Sequence, residues 1–463
     1  MNKRAGHNGT APSALFTDLY ELSMAQAYVA DGQTETASFE ISYRDPGPQR
    51  GYVLAGGVEA VVSALEGFVL GADELEYLAG TDLFDASFID WLRDVRFDGD
   101  VDAMPEGTAV FPNEPVLRVT APLPIAQILE TRVLNAIHYD SLILTKASRI
   151  VDAAGGRGVV DFGARRAHGF DASVAAARAS WIAGCGGTSN MVAGQRYGLP
   201  VVGTMAHSYI ESFPDELSAF RAFARHYPET TLLVDTYDTL GGVDNVLRLA
   251  EELGSDFRVR AIRIDSGDLD DLSRTARARL DAAGHEDIRI VVSGGLGEQR
   301  IADLVAREAP IDGFGVGTDL AVSRDKPTLD FAYKLVSYAG EPRMKASPDK
   351  ASLPGAKQVF RRWSEGLLAG DTIAGSQEAL AGEPLLHPVM RSGRRLDPPE
   401  SLTTMRERAA NQRGALPRRM REPAPTGEPY PVTISQALQR ETERLRAAHR
   451  PTPFSTACAR DGD

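Results

Sequence analysis

Gly158-Val159-Val160-Asp161-Phe162-Gly163-Ala164-Arg165-Arg166 is the first of six repeats of one pattern: a short β-branched apolar run, then an abrupt polar, glycine-rich stop. The later stops are Gly203-Thr204-Met205-Ala206-His207-Ser208, Asp235-Thr236-Tyr237-Asp238, Asp265-Ser266-Gly267-Asp268, Ser293-Gly294-Gly295-Leu296 and Gly315-Val316-Gly317-Thr318-Asp319. Continuous apolar runs of this length read as parallel strands covered on both faces. Helix-like stretches separate them, at 172–182, 217–227, 243–253, 269–282 and 298–308. Strand–helix alternation of this kind predicts an irregular α/β barrel of parallel strands. The polar stops then sit at the C-terminal ends of the strands, where such barrels build their sites.

Outward from this ladder, residues 16–30 read as a helix opened by Thr17-Asp18 as its cap. Residues 37–43 alternate like a strand, and 116–120 form another before a Pro-bounded turn at 122–124. A single long helix is expected from 125 to about 153. A strand is expected at 199–203 ahead of His207, and one more at 331–338. The parse is an N-terminal open α/β domain over 1–124, the barrel over 125–340, and a C-terminal portion, 341–463, that packs back onto the N-terminal domain. Within that last portion 342–357 is basic and loop-like, 398–430 is rich in Pro and Arg, and 435–448 reads as a charged helix.

At 463 residues the chain can bury a large core. Its net charge of -14 argues against a nucleic-acid partner held by phosphate contacts. Two cysteines, Cys185 and Cys458, make neither a disulfide framework nor a zinc spacing, which suits a reducing cytoplasm. The first thirteen residues lack the apolar core of a signal peptide, and no apolar run is long enough to cross a membrane.

Chemistry concentrates at the stops. Ser293, Gly294 and Gly295, with Gly315, Gly317 and Thr318, follow the last two ladder strands. Successive backbone N–H groups in such loops make anion-binding hollows, and two adjacent ones favour a phosphate site over mere tight turns. Asp235, Asp238, Asp265 and Asp268 cluster at neighbouring strand ends; Asp268 reads as a helix cap, while Asp265 is left for Mg²⁺, hydroxyl groups or an oxocarbenium-like carbon. Asp161 reads as the partner of an adjacent arginine. Arg165, Arg166 and Arg263 offer planar forks for a carboxylate or phosphate, and Phe162 a face for a flat ring. His207 has no second histidine at metal spacing and stands as general base, metal ligand or phosphoryl acceptor. No lysine occurs between Val151 and Asp325, so a Schiff-base mechanism lacks its residue there.

These motifs resemble the nicotinate phosphoribosyltransferases. The likeness runs from Phe16-Thr17-Asp18-Leu19-Tyr20 through the ladder stops and Gly187-Thr188-Ser189-Asn190 to Lys345-Ala346-Ser347, Pro354-Gly355-Ala356-Lys357 and Leu386-His387-Pro388-Val389. It implies that nicotinate and phosphoribosyl pyrophosphate give nicotinate mononucleotide and pyrophosphate, in NAD biosynthesis. ATP hydrolysis is coupled through a phosphohistidine, matched here by His207, and Mg²⁺ accompanies pyrophosphate. It also implies Tyr20 and Phe162 on the two faces of the pyridine ring, Tyr20 coming from the partner in a homodimer with a shared site. Thr204 and Arg263 fall at nicotinate with Arg165 nearby, Asp265 at ribose or Mg²⁺, and Ser293 to Gly295 with Gly315, Gly317 and Thr318 at phosphate. Some longer members carry a cysteine-rich metal module; two cysteines are too few, and no structural zinc is expected.

The rival readings are the nicotinamide enzyme of the same superfamily and a catalytically silent nucleotide-binding barrel. Nicotinamide-using relatives carry aspartate where this chain has Ser189; a carboxylate there would repel the acid, so Ser189 as a substrate-binding residue favours the acid over the amide, with a helix-capping role after Thr188 as the open alternative. A silent barrel would have lost Asp265, Arg263 or His207, and all three are present. A quinolinate enzyme, which decarboxylates without ATP, would want more cations than this lysine-free interval holds.

Overall fold

The structure, a computed structural model, describes residues 13–347 and 352–448. Cys458, the chain beyond Pro451 and nearly all of the N-terminal stretch examined for a signal peptide lie outside those residues.

Six parallel strands form one curled sheet in the order Gly187–Thr188, Gly158–Asp161, Gly313–Val316, Arg289–Ser293, Ala261–Ile264, Thr231–Leu233. The last strand in sequence pairs with the first, as in a barrel, and the sheet stays open between Thr231–Leu233 and Gly187–Thr188. The outer face is dry: Leu232, Ile262, Ile264, Ile290 and Val292 are fully buried. Each such side chain contributes about 1.5–3 kcal/mol by leaving water. Helices Phe170–Ala183, Glu216–His226, Thr239–Leu253, Leu269–Ala282 and Glu298–Ala306 make the crossovers, close to the expected spans.

One expected stave is missing. Residues 199–203 do not form a strand; the second stave is Gly187–Thr188, and Val201 makes only an isolated bridge to Thr188. Pro200 has no N–H to give a ladder, and Val201 and Val202 stay 45% and 37% exposed, so burial does not draw the segment into the sheet.

A second sheet of seven strands is antiparallel throughout. Its order is Glu341–Pro342, Phe331–Tyr338, Thr36–Tyr43, Leu117–Pro122, Asp100–Ala103, His387–Arg391, Arg394–Arg395. Chain after the barrel strands thus returns to the N-terminal sheet at both of its edges, and Phe331–Tyr338, which the sequence puts inside the 125–340 barrel, is a strand of this sheet instead, paired with Thr36–Tyr43. The remainder of the C-terminal portion is a four-stranded sheet, Glu383–Pro384, Lys357–Ser364, Leu367–Gly375 and Val432–Ile434, with helices Leu402–Ala415 and Gln436–Ala448.

The expected long helix is two, Leu123–Ile128 and Glu130–Ala153, broken at Leu129. The proline-bounded turn is correspondingly a strand end running directly into the shorter helix. The break is held from outside: Thr17 Oγ1 donates to Ile128 O at 3.2 Å, and Thr131 N donates to Glu21 Oε1 at 3.0 Å. Thr17 and Asp18 therefore tie helices together rather than cap one. The first helix starts at Leu19, Asp18 makes no side-chain cap bond, and its carboxylate accepts from Thr131 Oγ1 at 2.9 Å.

Helix Glu130–Ala153 serves both cores. Val133 and Ile137 pack under the antiparallel sheet, and Leu144, Ala147 and Ile150 under the barrel. The arginine-rich segment also has a structural duty. Arg406 donates to the carbonyls of Trp181, Cys185 and Gly184, and Arg413 to that of Ala183, which closes the C-terminal turn of Phe170–Ala183. Burial pushes the Cys185 thiol far above its usual range, so it packs as a small apolar group.

Asp140 lies between the two cores. Arg178 is committed to both oxygens of Glu106, at 2.8 and 3.0 Å, and reaches Asp140 only at 3.4 Å. Burial pushes Asp140 from 3.8 up to about 7; Arg178 opposes this and Glu106 adds to it. The folded protein then holds a proton that the unfolded chain has released, so stability falls as pH rises from about 4 to about 7. Asp140→Asn should flatten that slope. Thermal melts at pH 5 and pH 8 test it: the variant should gain on the wild type at the higher pH, and parallel profiles would refute the assignment.

Candidate active site

Five of the ladder stops end on the same rim, because parallel strands in register deliver their C-terminal ends to one edge; the sixth, 203–208, is joined to it by Arg263 on Thr204. Arg263 is the central side chain. It occupies the one incompletely buried position of strand Ala261–Ile264 and so faces the barrel interior. Its guanidinium donates to Thr204 Oγ1, and Nη2 donates to Met205 O at 3.2 Å. Nε is buried and without a hydrogen-bond partner. Burial holds Arg263 below its usual value; the Asp265 and Asp235 carboxylates oppose that, and the nearby Arg165 charge adds to it. A half-desolvated fork with an unspent N–H is built to receive an anion.

Phe162 stands beside it. Its N–H donates to Val316 O at 2.8 Å, which draws the first stop onto the last strand. The ring lies directly on Gly315: a Cβ there would come 2.5 Å from a ring carbon. The ring is seated on backbone there, and the residue remains partly exposed.

Asp265 is held on two sides. Its N–H donates to Asp235 Oδ2 at 3.0 Å, and Ser293 Oγ donates to its Oδ1. Ser266 Oγ donates to the same Asp235 oxygen at 2.5 Å, and Asp235 Oδ1 is buried without a partner. Asp238 and Asp268 are helix caps, accepting from Gly241 N at 2.6 Å and from Asp270 N at 3.1 Å. Gly294 fits against Asp265 because it has no side chain: its φ is +85° and a Cβ would fall 1.9 Å from Asp265 O. Ser293, Gly294 and Gly295 thus share a wall with Asp265, while Gly315, Gly317 and Thr318 share one with Phe162, Gly317 approaching its carbonyl.

His207 opens the short helix His207–Glu211, with Nδ1 3.1 Å from Thr236 Oγ1. Asp161 does not pair with an arginine. Its Oδ1 accepts from Gly163 N at 2.8 Å and its Oδ2 from Thr188 Oγ1 at 2.7 Å, so it shapes the turn that carries Phe162. Burial raises its pKa. Ser189 donates its N–H to Asp161 O at 2.9 Å, and the cap of the next helix is Asn190, which accepts from Ala193 N at 3.1 Å. The capping account of Ser189 therefore fails.

Tyr20 is not brought to this rim within the chain. It is 46% exposed on helix Leu19–Ala30, near the likewise exposed Phe16, Leu19 and Met24. Burial and the Glu130 carboxylate, its hydrogen-bond partner, push its phenol above the usual range. Two residues that the rim uses carry no local signal of their role: Thr236 at His207, and Arg300, which donates to Gly294 O at 3.3 Å. Asp235 stands in the expected acid cluster, and the pairing of its strand with Ala261–Ile264 makes it the brace of Asp265. A cavity of about 290 Å³ on the antiparallel sheet, lined by Glu40, Arg44, Lys334, Lys357 and Arg446 among others, shares no residue with the rim.

Comparison with known proteins bears directly on this rim. Three family models match: the nicotinate phosphoribosyltransferase N-terminal domain at residues 15–138, the nicotinate phosphoribosyltransferase family at 158–344, and its C-terminal domain at 372–442. The chain is 53% identical over 436 residues to nicotinate phosphoribosyltransferase pncB2 of Mycobacterium tuberculosis, covering 94% of each chain. It is 41% identical to the Bacillus subtilis nicotinate phosphoribosyltransferase, covering 75% of this chain and 73% of that one. Among solved structures it resembles human nicotinic acid phosphoribosyltransferase, with a TM-score of 0.82 and 29% identity over 93% of this chain and 99% of that one.

Gly315→Ala should force the Phe162 ring off its seat, since close-packed neighbours absorb an extra methyl only at about 1–3 kcal/mol. The expected result is roughly tenfold weaker binding of an aromatic carboxylate by calorimetry. An unchanged Kd would mean that the ring's position does not matter.

Proposed function

Because the chain belongs to the nicotinate phosphoribosyltransferase family, we propose that it joins nicotinate to phosphoribosyl pyrophosphate, giving nicotinate mononucleotide and pyrophosphate in NAD biosynthesis. The carrying observation is Arg263: a half-buried guanidinium with an unspent N–H, beside the partly exposed Phe162 and two glycine loops. Nicotinate stacks on Phe162 with its carboxylate at Arg263 and Thr204, Arg165 lying nearby. The 5-phosphate sits in the backbone hollows of Ser293, Gly294 and Gly295 and of Gly315, Gly317 and Thr318. The ring nitrogen's lone pair forms the new bond to C1, and the C1–O bond breaks with its electrons leaving on pyrophosphate. No proton moves, so the residues act by positioning and by stabilising charge. Asp265, braced by Ser293 and Asp235, faces the ribose hydroxyls and the positive charge developing at C1.

The donor set also fits Mg²⁺: Asp265 with Asp235, whose buried Oδ1 has no protein partner. Bound there with pyrophosphate, the ion would neutralise the leaving group's charge. Ser189 supports the acid over the amide, since it is neutral and the cap belongs to Asn190. We assign His207 as the acceptor of the ATP γ-phosphoryl group, with Thr236 orienting its ring. We assign Tyr20 to the partner's site in a homodimer, as its helix presents Phe16, Leu19, Tyr20 and Met24 to solvent. No helix among the described residues is long and apolar enough to cross a membrane; a cytoplasmic location is part of the proposal.

Arg263→Gln should lower kcat/KM for nicotinate by about 10–100-fold, the worth of a charge-assisted bond. It should narrow the preference for nicotinate over nicotinamide, measured as the ratio of their rates. Incubation with γ-labelled ATP should give an acid-labile label on the wild type and none on His207→Asn. Equal labelling of the two proteins would remove the phosphohistidine from the scheme.

A further inference from the structure

Lys146 lies on helix Glu130–Ala153 with no exposed surface. It falls just outside the lysine-free interval, and none of the chemistry above uses it. Its ammonium contacts Glu298, Asp319 Oδ1 at 2.5 Å and Asp325 Oδ1 at 3.0 Å. Each acid comes from a different place. Glu298 opens the helix that follows Ser293-Gly294-Gly295, Asp319 follows Thr318, and Asp325 is held by Arg50 from the N-terminal domain at 3.0 Å. Arg149 takes the second oxygen of Glu298 at 3.1 Å. Three cations thus face three carboxylates in a largely buried cluster that joins both glycine loops. The loops meet there: a Cβ on Gly297 would lie 2.8 Å from the Asp319 carboxyl.

Stability alone does not explain such a cluster, because buried ion networks are often no more stabilising than apolar packing. Burial works against the Lys146 charge, yet Glu298, Asp325 and Asp319 together lift its pKa above the ordinary value. What the cluster supplies is geometry. Without the ammonium, Glu298 and Asp319 would be adjacent buried like charges. Arg149 is engaged by Glu298 and Pro423 O, and Arg50 by Asp325 and Ser323; each keeps a buried Nη1 without a partner, but neither forms an ion pair with Asp319, which Lys146 alone does among the described residues.

We propose that Lys146 is a positioning residue: one ammonium shared by Glu298 and Asp319 fixes the spacing of the two glycine loops and thereby sets affinity for the phosphoribosyl substrate, not for nicotinate. This rests on the reading of those loops as the 5-phosphate site. Backbone donors hold a phosphate well only when they are already in place, and a displacement of an ångström can cost about a hundredfold.

The test is steady-state kinetics on Lys146→Met, Lys146→Met/Asp319→Asn and Thr318→Val, with melting temperatures alongside. Lys146→Met should raise KM for phosphoribosyl pyrophosphate about 10–100-fold while KM for nicotinate stays within about twofold. The double variant removes the stranded charge and should recover part of that loss. If Lys146→Met leaves both KM values unchanged and lowers kcat only with the folded fraction, the lysine is merely structural and the proposal is overturned. Thr318→Val separates the two readings. If it raises KM for phosphoribosyl pyrophosphate and Lys146→Met does not, only the role of Lys146 falls; if neither variant does, the phosphate assignment of the loops falls with it. Should Lys146→Met not fold, Glu298→Gln loosens the same tie from the other side. The same split in KM is then expected, and its absence overturns the proposal.

Discussion

A phenylalanine ring packs against a glycine backbone, and the geometry of the rim follows from that contact. Phe162 meets Gly315 because the first and last strands of the ladder are neighbours in the sheet. The pairing of Arg289–Ser293 with Ala261–Ile264 likewise brings Ser293 to Asp265 and sets Gly294 against the Asp265 carbonyl. Strands of three to five residues suffice, because the helices outside bury the apolar side chains and the interior needs only small or functional ones.

Charge is distributed by the same logic. On the rim, Arg263 keeps an unspent N–H and Asp235 an unspent oxygen, as groups do that await an external partner. Beneath the rim, Lys146, Arg149 and Arg50 meet Glu298, Asp319 and Asp325 in equal numbers. Burial pushes Asp325 upward, but hydrogen bonding and charge from Arg50, with Lys146, hold it down at about 2. The support is closed, charge against charge; the surface above it stays open. A chain of net charge -14 can therefore present a local anion site without contradiction.

The ladder was legible because β-branched runs and glycine stops are local signals with a fixed period. Five of its six strands stand where the apolar runs put them, and the helix Leu269–Ala282 matches to the residue because Asp268 caps it. The failures were non-local. The missing stave at 199–203 has the composition of a strand and loses to Pro200 and to the lack of anything covering Val201 and Val202. The break at Leu129 depends on Thr17 and Glu21, more than a hundred residues away. The capping alternative for Ser189 gives way to Asn190, which holds that bond, and Asp161, an expected arginine partner, is held by Thr188 and Gly163. No single-sequence signal encodes that the segment after the missing stave meets the end of Thr231–Leu233, so Thr236 stood in plain view without a role.

The missing stave also changes what His207 can do. Residues 199–203 meet the sheet only through Thr188, which donates its N–H to Pro200 O and accepts from Val202 N. Beyond them, Thr204 to His207 carries side-chain contacts at both ends, Arg263 on Thr204 and Met205 and Thr236 on His207. A phosphoryl group on His207 would add nearly two negative charges to that segment. The segment's other anchor is the guanidinium proposed to bind the substrate carboxylate. Charge at the histidine and occupancy at the arginine would then act on one short stretch of chain, which is the physical route by which the proposed phosphorylation would reach substrate affinity.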